Sequence, residues 1–303
     1  MAASDGNDAP TPLEAERRPL ETLDWLLLVS AAGIWGSSFL FMDVALDAEH
    51  PGLITWLRPM FGLAALACFP AARRPVERSD RGRLLILGIT WMAFPFTLFP
   101  LAQQWIDSSV TGMLNSAMPV ATVLIGAAAF GVTVQRPQVL GVAVGIVGIF
   151  MIGLPTARGG DTSALGVVLV VLAVSSYGLA VNIAGPLQRK YGSLAVLSRV
   201  LAVAAVATTP FGIYGLTQSA WSASAVGANL AVGIGGTGLA YAAAATLTGR
   251  IGAVRMSIVT YLIPVVASLL GVLVLNEVLG GWQVAGAVVL VAGAWSTTRT
   301  DRQ

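Results

Sequence analysis

Charge is what this chain has least of. Asp, Glu, Lys and Arg together supply 11% of its 303 residues, against about 25% in an average soluble domain. That shortage excludes a disordered chain and argues against a soluble enzyme. Histidine and cysteine are almost absent too: His50 and Cys68 are the single examples of each. A lone cysteine forms no intrachain disulfide. One His and one Cys cannot build a Cys/His metal site, an HExxH motif, or a Ser-His-Asp triad with its histidine inside a membrane. No GxxxxGK[ST] run occurs, so hydrolysis of a nucleotide by a P-loop is excluded. No metal and no cofactor is expected.

What the chain has instead is apolar length. It is 56% hydrophobic with a mean hydropathy of +0.79. A membrane span takes about 20 apolar residues, and ten such stretches follow one another. They run over roughly 25–46, 52–72, 83–104, 108–130, 137–155, 164–186, 193–215, 225–247, 253–275 and 281–298, broken by Gly, Pro and charge clusters such as Arg73-Arg74-Pro75 and Arg158-Gly159-Gly160-Asp161. Internal prolines, among them Pro59, Pro119, Pro210 and Pro264, are tolerated in membrane helices when neighbours satisfy the freed backbone groups. Residues 1–24 hold six acids against Arg17 and Arg18, with no basic segment leading into an apolar run. They are expected to form a disordered cytoplasmic tail rather than a cleavable signal peptide, and residues 299–303 a second, short cytoplasmic tail. The fold expected is therefore an all-α integral membrane protein with ten transmembrane helices, located in the cell (inner or plasma) membrane.

The scarce charge also sets orientation. With the N-terminus in the cytoplasm, 14 of the 17 basic residues fall on the cytoplasmic side, Arg158 alone falls outside, and Arg58 and Arg199 lie within spans. That is the bias of the positive-inside rule, and an even span count places both termini in the cytoplasm.

The chain repeats itself. At an offset of 145, Pro119 meets Pro264, Gln138 meets Gln283, and Gly126, Gly141 and Gly148 meet Gly271, Gly286 and Gly293, within nine identities over 119–150. An offset of 141 sets Arg58 on Arg199. Two units follow, 25–155 and 164–298. Five spans per unit is an odd number, so the halves are inverted with respect to one another, an arrangement that in carriers places the site at the midplane between them.

Trp35-Gly36-Ser37-Ser38-Phe39, Arg58, and the segments Pro119…Gln138-x-x-Gly141 and Pro264…Glu277…Gln283-x-x-Gly286 resemble the EamA-type drug/metabolite transporter superfamily over roughly residues 25–298. The resemblance implies a ten-helix inner-membrane carrier with a central cavity between two EamA-like repeats, often an exporter of metabolites or amino acids. The family often carries Lys where this chain has Asp43, and Glu near the end of the fourth span where this chain has Val132.

Several residues are candidates for the site. Arg58 and Arg199 are charges embedded in apolar spans, suited either to an anionic substrate or to snorkelling toward the interface. Thr111, Asn115 and Thr122 share one face of the fourth span, and Ser257, Tyr261 and Ser268 one face of the ninth. They either line a cavity or bond neighbouring helices. Pro119 and Pro264 are the expected helix breaks or hinges. Trp91, Phe94, Phe96 and Phe99 crowd the third span, an aromatic wall for an amphipathic substrate. Ser176, Tyr177 and Asn182 on the sixth span are expected to face Trp35 and Ser37, and Tyr241 stands on the glycine-rich eighth. Gly233-x-Gly235-x-x-Gly238 matches a dinucleotide fingerprint only in letters, because no strand precedes it. Asp43, Asp107 and Glu277, near outer span ends, are candidates for proton coupling.

The function expected is a secondary, non-ATP exporter of a small metabolite, amino acid or drug-like compound by alternating access. The alternatives are an intramembrane lipid-acting enzyme, which would need convergent acids or histidines at depth, and a non-transporting scaffold or receptor subunit. The expected partners are a small-molecule substrate and the lipid bilayer, with H+ and Na+ both open as coupling ions, no nucleic acid, and monomer and homodimer both open.

Overall fold

The computed structural model describes residues 19–158 and 161–298; the tail residues 1–18 and 299–303 lie outside them. Every regular element among the described residues is helical. In chain order these are α1 (Thr22–Leu46), α2 (Pro51–Leu66), α3 (Arg78–Ala102), α4 (Ser108–Asn115), α5 (Met118–Phe130), α6 (Arg136–Ala157), α7 (Asp161–Tyr191), α8 (Ser193–Gln218), α9 (Ala223–Ile251), α10 (Ala253–Met256), α11 (Ile258–Val274) and α12 (Gly281–Thr297). Six of them, α1, α3 and α6 to α9, are long and apolar enough to cross a membrane. A seventh is added when α4 and α5, bent by 42° at their junction, are taken as one span. The other apolar helices, α2, α11 and α12, are 16 or 17 residues long.

Local chemistry sets the ends. Helix α1 starts at Thr22, earlier than the hydropathy suggests, because Glu21 and Asp24 form a reciprocal capping box and Asp24 pairs with Arg250 at 2.6 Å. Helix α2 has Pro51 in its first turn and His50 as its cap, whose Nδ1 accepts the Gly52 N–H at 3.0 Å. It stops at Leu66, short of the expected 72, and the chain turns through a 3-10 segment at Pro70–Arg73. The α4–α5 bend precedes Pro119, whose ring nitrogen leaves the Asn115 carbonyl without its helical donor. Pro264 does the same to Thr260, but α11 runs through it unbroken. The interruption near the start of the ninth stretch falls instead at Ser257, between α10 and α11.

Glycine allows two close crossings. Helices α6 and α12 touch backbone to backbone: a Cβ at Gly293 would collide with the Gly145 main chain, and one at Gly148 with that of Leu290. Helix α2 meets α9 as closely, since a Cβ at Gly62 would lie 2.6 Å from Thr237 Cγ2 and one at Gly233 would strike Phe61.

Two segments depart from α geometry. Gly88–Ala93 in α3 and Ala231–Leu239 in α9 are π-helical, a form often found at functional sites. The literal GxGxxG sequence lies in the second. Gly233 and Gly238 in it pack against Phe61 and Ala65 of α2.

Contacts between distant residues sort the loops into two ends. At one end Arg250 pairs with Glu21 and Asp24, Lys190 with Glu77 and Asp80, and Gln138 donates to the Thr297 carbonyl. At the other, the Ala220 N–H donates to Ala48 O, the Ser108 and Ser109 N–H groups to Glu277, and Gln283 to Thr156.

Candidate functional site

A cavity of about 400 Å3 lies between α1, α2, α3, α7, α8, α9 and the broken α4–α5 and α10–α11 segments. Its mouth is formed by Gln188, Ser193, Thr248 and Ser257, at the end that carries Lys190 and Arg250. Its floor is Phe39, Met42, Arg58 and Phe99. Asn115 and Thr260, whose carbonyls the two prolines release, both line it.

The walls are aromatic. Trp35 and Trp91 each meet Tyr241 edge-on, with centroids 5.1 and 5.8 Å apart, and Phe99 meets Phe39 and Tyr177 at 5.8 Å. Such ring contacts, edge-on except for the tilted Phe99–Tyr177 pair, hold the rings in place. The Trp35 indole N–H donates to the Gly236 carbonyl at 3.0 Å, so the π-helical turn fixes that wall.

Among the described residues Arg58 is the one charge on the lining. It is only 7% exposed. Its Nε–H donates to Thr237 Oγ1 at 3.1 Å, one Nη1–H points at Met42 Sδ at 3.5 Å, and the guanidinium lies over the Phe96 ring at 3.9 Å. Thr237 can accept because its own hydroxyl donates to Val232 O, one π turn back, at 3.2 Å. A guanidinium has five N–H groups, so three are left for a ligand. Among the described residues no carboxylate pairs with Arg58, and no Asp or Glu lines the cavity. The guanidinium is thus held only by a hydroxyl, a thioether and a ring face, and its remaining donors are open to an acceptor.

Of the residues singled out in the sequence, Trp35, Arg58, Trp91, Asn115, Tyr177, Tyr241 and Ser257 stand on this wall. Phe99 stands on the cavity floor, while Ser37, Thr111, Phe94, Ser176, Asn182, Arg199 and Tyr261 stand elsewhere. Ser37 bonds its own helix at Ile34 O, and Thr111 is buried and bonds Asp107 O. Phe94 is 42% exposed on the outer surface of α3. Ser176 donates to Thr90 O, and Asn182 to Thr122 O and Gly178 O, which ties α7 to α3 and α5. Arg199 is consumed by the carbonyls of Ala72, Arg73 and Arg74. Tyr261 reaches Thr298 at 3.0 Å and Ala294 O at 3.4 Å.

The three acids lie together at the end opposite the mouth, with Asp43 in electrostatic reach of both Asp107 and Glu277. Glu277 spans from the second half to cap α4, accepting from Ser108 N–H at 2.8 Å and Ser109 N–H at 3.0 Å. Burial first, then the Glu277 charge, pushes the Asp107 carboxyl above its ordinary range.

Thr237, Met42 and the π-helical turns escaped sequence reading. A threonine among glycines carries no periodic signal, and π geometry has no simple sequence signature.

The EamA-like transporter family model matches residues 23–154 and 164–299. A probable amino-acid metabolite efflux pump of Salmonella typhimurium is 27% identical over 286 residues, covering 90% of this chain and 93% of that protein. Its counterpart in Escherichia coli is 25% identical with the same coverage, and an uncharacterized transporter of Archaeoglobus fulgidus is 21% identical over 91% of this chain and 98% of its own. A crystal structure superposes with a TM-score of 0.63 at 21% identity over 91% of this chain and 96% of that one, which shows a shared fold.

Proposed function

Because the chain belongs to the EamA-like transporter family, we propose that it is a secondary exporter of a small carboxylate with an aromatic or apolar body, such as an amino acid or a derivative of one. The observation that carries this reading is Arg58, a buried cation without a counter-ion on the floor of an aromatic-walled cavity. The carboxylate would take up the free guanidinium N–H groups, and Trp35, Trp91, Tyr177 and Tyr241 would enclose the body of the molecule. A cavity of about 400 Å3 falls in the range that holds small ligands. The names of the Salmonella and Escherichia relatives support export of amino-acid metabolites.

The architecture proposed is ten spans in two inverted five-helix repeats. The family model's two matches, one per half, and the sorting of loops into two ends support it. The basic residues gather at the mouth, so that end is cytoplasmic by the positive-inside rule and both termini lie there. The conformation described is then open to the cytoplasm. Export requires the halves to rock about Arg58, closing the Gln188–Ser257 mouth and parting the opposite end. Asp43, Asp107 and Glu277 are placed at that parting end, where a coupling proton would enter.

The test is flux in proteoliposomes, with phenylalanine and phenylacetate as probes and phenylalaninamide as the control that lacks a carboxylate. Wild type carries the two carboxylates, and Arg58→Ala carries neither while still reaching the membrane. Equal flux of the amide, or undiminished flux by the variant, would sink the assignment.

A further inference from the structure

We propose that Glu49 is a proton-binding site whose occupancy holds the end of the bundle opposite the cavity mouth shut. This rests on the carrier reading above, because it needs that end to open and close.

Glu49 lies in the turn between α1 and α2 and is only 4% exposed. Its Oε2 accepts from Asn229 Nδ2, at the start of α9, at 2.6 Å. Asn229 is fully buried, and its Oδ1 has no hydrogen-bond partner. A charged carboxylate would leave two deficits here, a buried anion with a single neutral donor and a buried amide oxygen with none. One proton removes both. A carboxyl Oε1–H can donate to Asn229 Oδ1 while Oε2 still accepts from Nδ2, the reciprocal pairing of an acid with an amide. Burial pushes the Glu49 carboxyl up from its ordinary range, with the Asn229 hydrogen bond pulling the other way.

The α8 and α9 segments beside Glu49 bring no charge, because residues 200–249 contain no Asp, Glu, Lys, Arg or His; Glu277, at the same end, bonds Ser108 and Ser109. On its own turn stand Asp47 and His50, with Asp43 one helical turn back in α1. The His50 Nδ1 is occupied by the Gly52 N–H, and its ring is held between Phe211 and Tyr214. Arg58 of α2 lies about two turns below and bonds Thr237. Among the described residues no Lys or Arg pairs with Glu49.

The site sits on a seam between the two halves. Beside it the Ala220 N–H donates to Ala48 O at 2.8 Å and the His50 N–H to Ser219 Oγ at 2.9 Å. Parting the seam would wet Glu49, and the carboxyl would give its proton to water at neutral pH. A group that binds its proton more tightly in the closed form stabilises that form at low pH, and the stabilisation fades as pH rises. Acid on that side thus favours the cytoplasm-open state, and alkali favours parting.

The test is hydrogen exchange of the full-length protein in nanodiscs, corrected for the intrinsic pH dependence of amide exchange. In wild type, protection of segments 47–52 and 219–229 falls by about tenfold or more between about pH 5 and pH 8. Glu49→Gln mimics the protonated acid, since its amide can both donate to and accept from Asn229, so it folds and stays protected across the range. Infrared difference spectra give a second readout: the wild-type spectrum contains a protonated carboxyl band that the variant lacks. A pH response that persists in Glu49→Gln, or no such band, overturns the proton site while leaving a carrier. Protection that never changes, with pH or with added phenylalanine, overturns both.

Discussion

Replacing Arg58 by methionine separates stability from function, and the structure sets the size of each effect. Breaking a buried ion pair costs about 3–5 kcal/mol because a charge is stranded. Arg58 has no such partner. The substitution gives up one hydrogen bond from a charged donor to Thr237, worth about 1.5–3 kcal/mol, and the contact with the Phe96 ring, worth about 2 kcal/mol when desolvated. Against that, removing an arginine from the middle of a span recovers about 2.5–3.5 kcal/mol on insertion scales. The terms largely offset, so Arg58→Met costs no more than about 2.5 kcal/mol in melting, below the cost of stranding one partner of a buried ion pair. Binding behaves differently. A charge-assisted hydrogen bond to a carboxylate is worth about 1.5–3 kcal/mol, so affinity for phenylalanine falls by about ten- to a hundredfold. Thermal melting in detergent gives the first quantity, and equilibrium binding of labelled phenylalanine to the purified protein gives the second. A variant that unfolds, or one that binds phenylalanine as wild type does, refutes the reasoning.

Other parts of the structure make independent predictions. Glu277→Ala removes the carboxylate that caps Ser108 and Ser109, costing about 1–2 kcal/mol in a melting experiment. Gly271→Ala drives a methyl group into that carboxylate, so the two substitutions are non-additive, and the double variant is less impaired than the summed singles. Gly293→Leu forces a side chain onto the Gly145 backbone and lowers stability by at least about 2–3 kcal/mol, with loss of membrane-inserted protein on a blot. Lys190→Met breaks an exposed pairing with Glu77 and a part-buried one with Asp80, whose carboxylate keeps Tyr191 and Arg83 as partners, so its melting shifts by about 1 kcal/mol, and the shift shrinks with added salt.

Helix positions and a central arginine were legible in the chain because a membrane span writes long apolar runs and makes embedded charge conspicuous. Arg199 shows the limit of that logic. It was conspicuous for the same reason as Arg58, but α2 ends early at Leu66, and the turn that follows presents Ala72, Arg73 and Arg74 carbonyls to it. No hydropathy pattern reports which carbonyls a turn will expose. Ser176 and Asn182 were legible as polar residues in a span but not as helix ties, since their acceptors lie 86 and 60 residues away. Glu49 was invisible for the opposite reason: in sequence it is an ordinary loop acid, and its burial depends on Asn229, 180 residues on. Phe94 and Phe99 differ only in which side of a π-distorted α3 they occupy, one outside and one on the cavity floor.

The central claim is alternating exchange of a carboxylate through the Arg58 cavity, and counterflow tests it most directly. Proteoliposomes loaded with unlabelled phenylalanine should take up external labelled phenylalanine faster than empty ones. That acceleration should disappear with internal phenylalaninamide and in Arg58→Met. Uptake that internal phenylalanine does not accelerate, or exchange that the amide supports equally well, would contradict it.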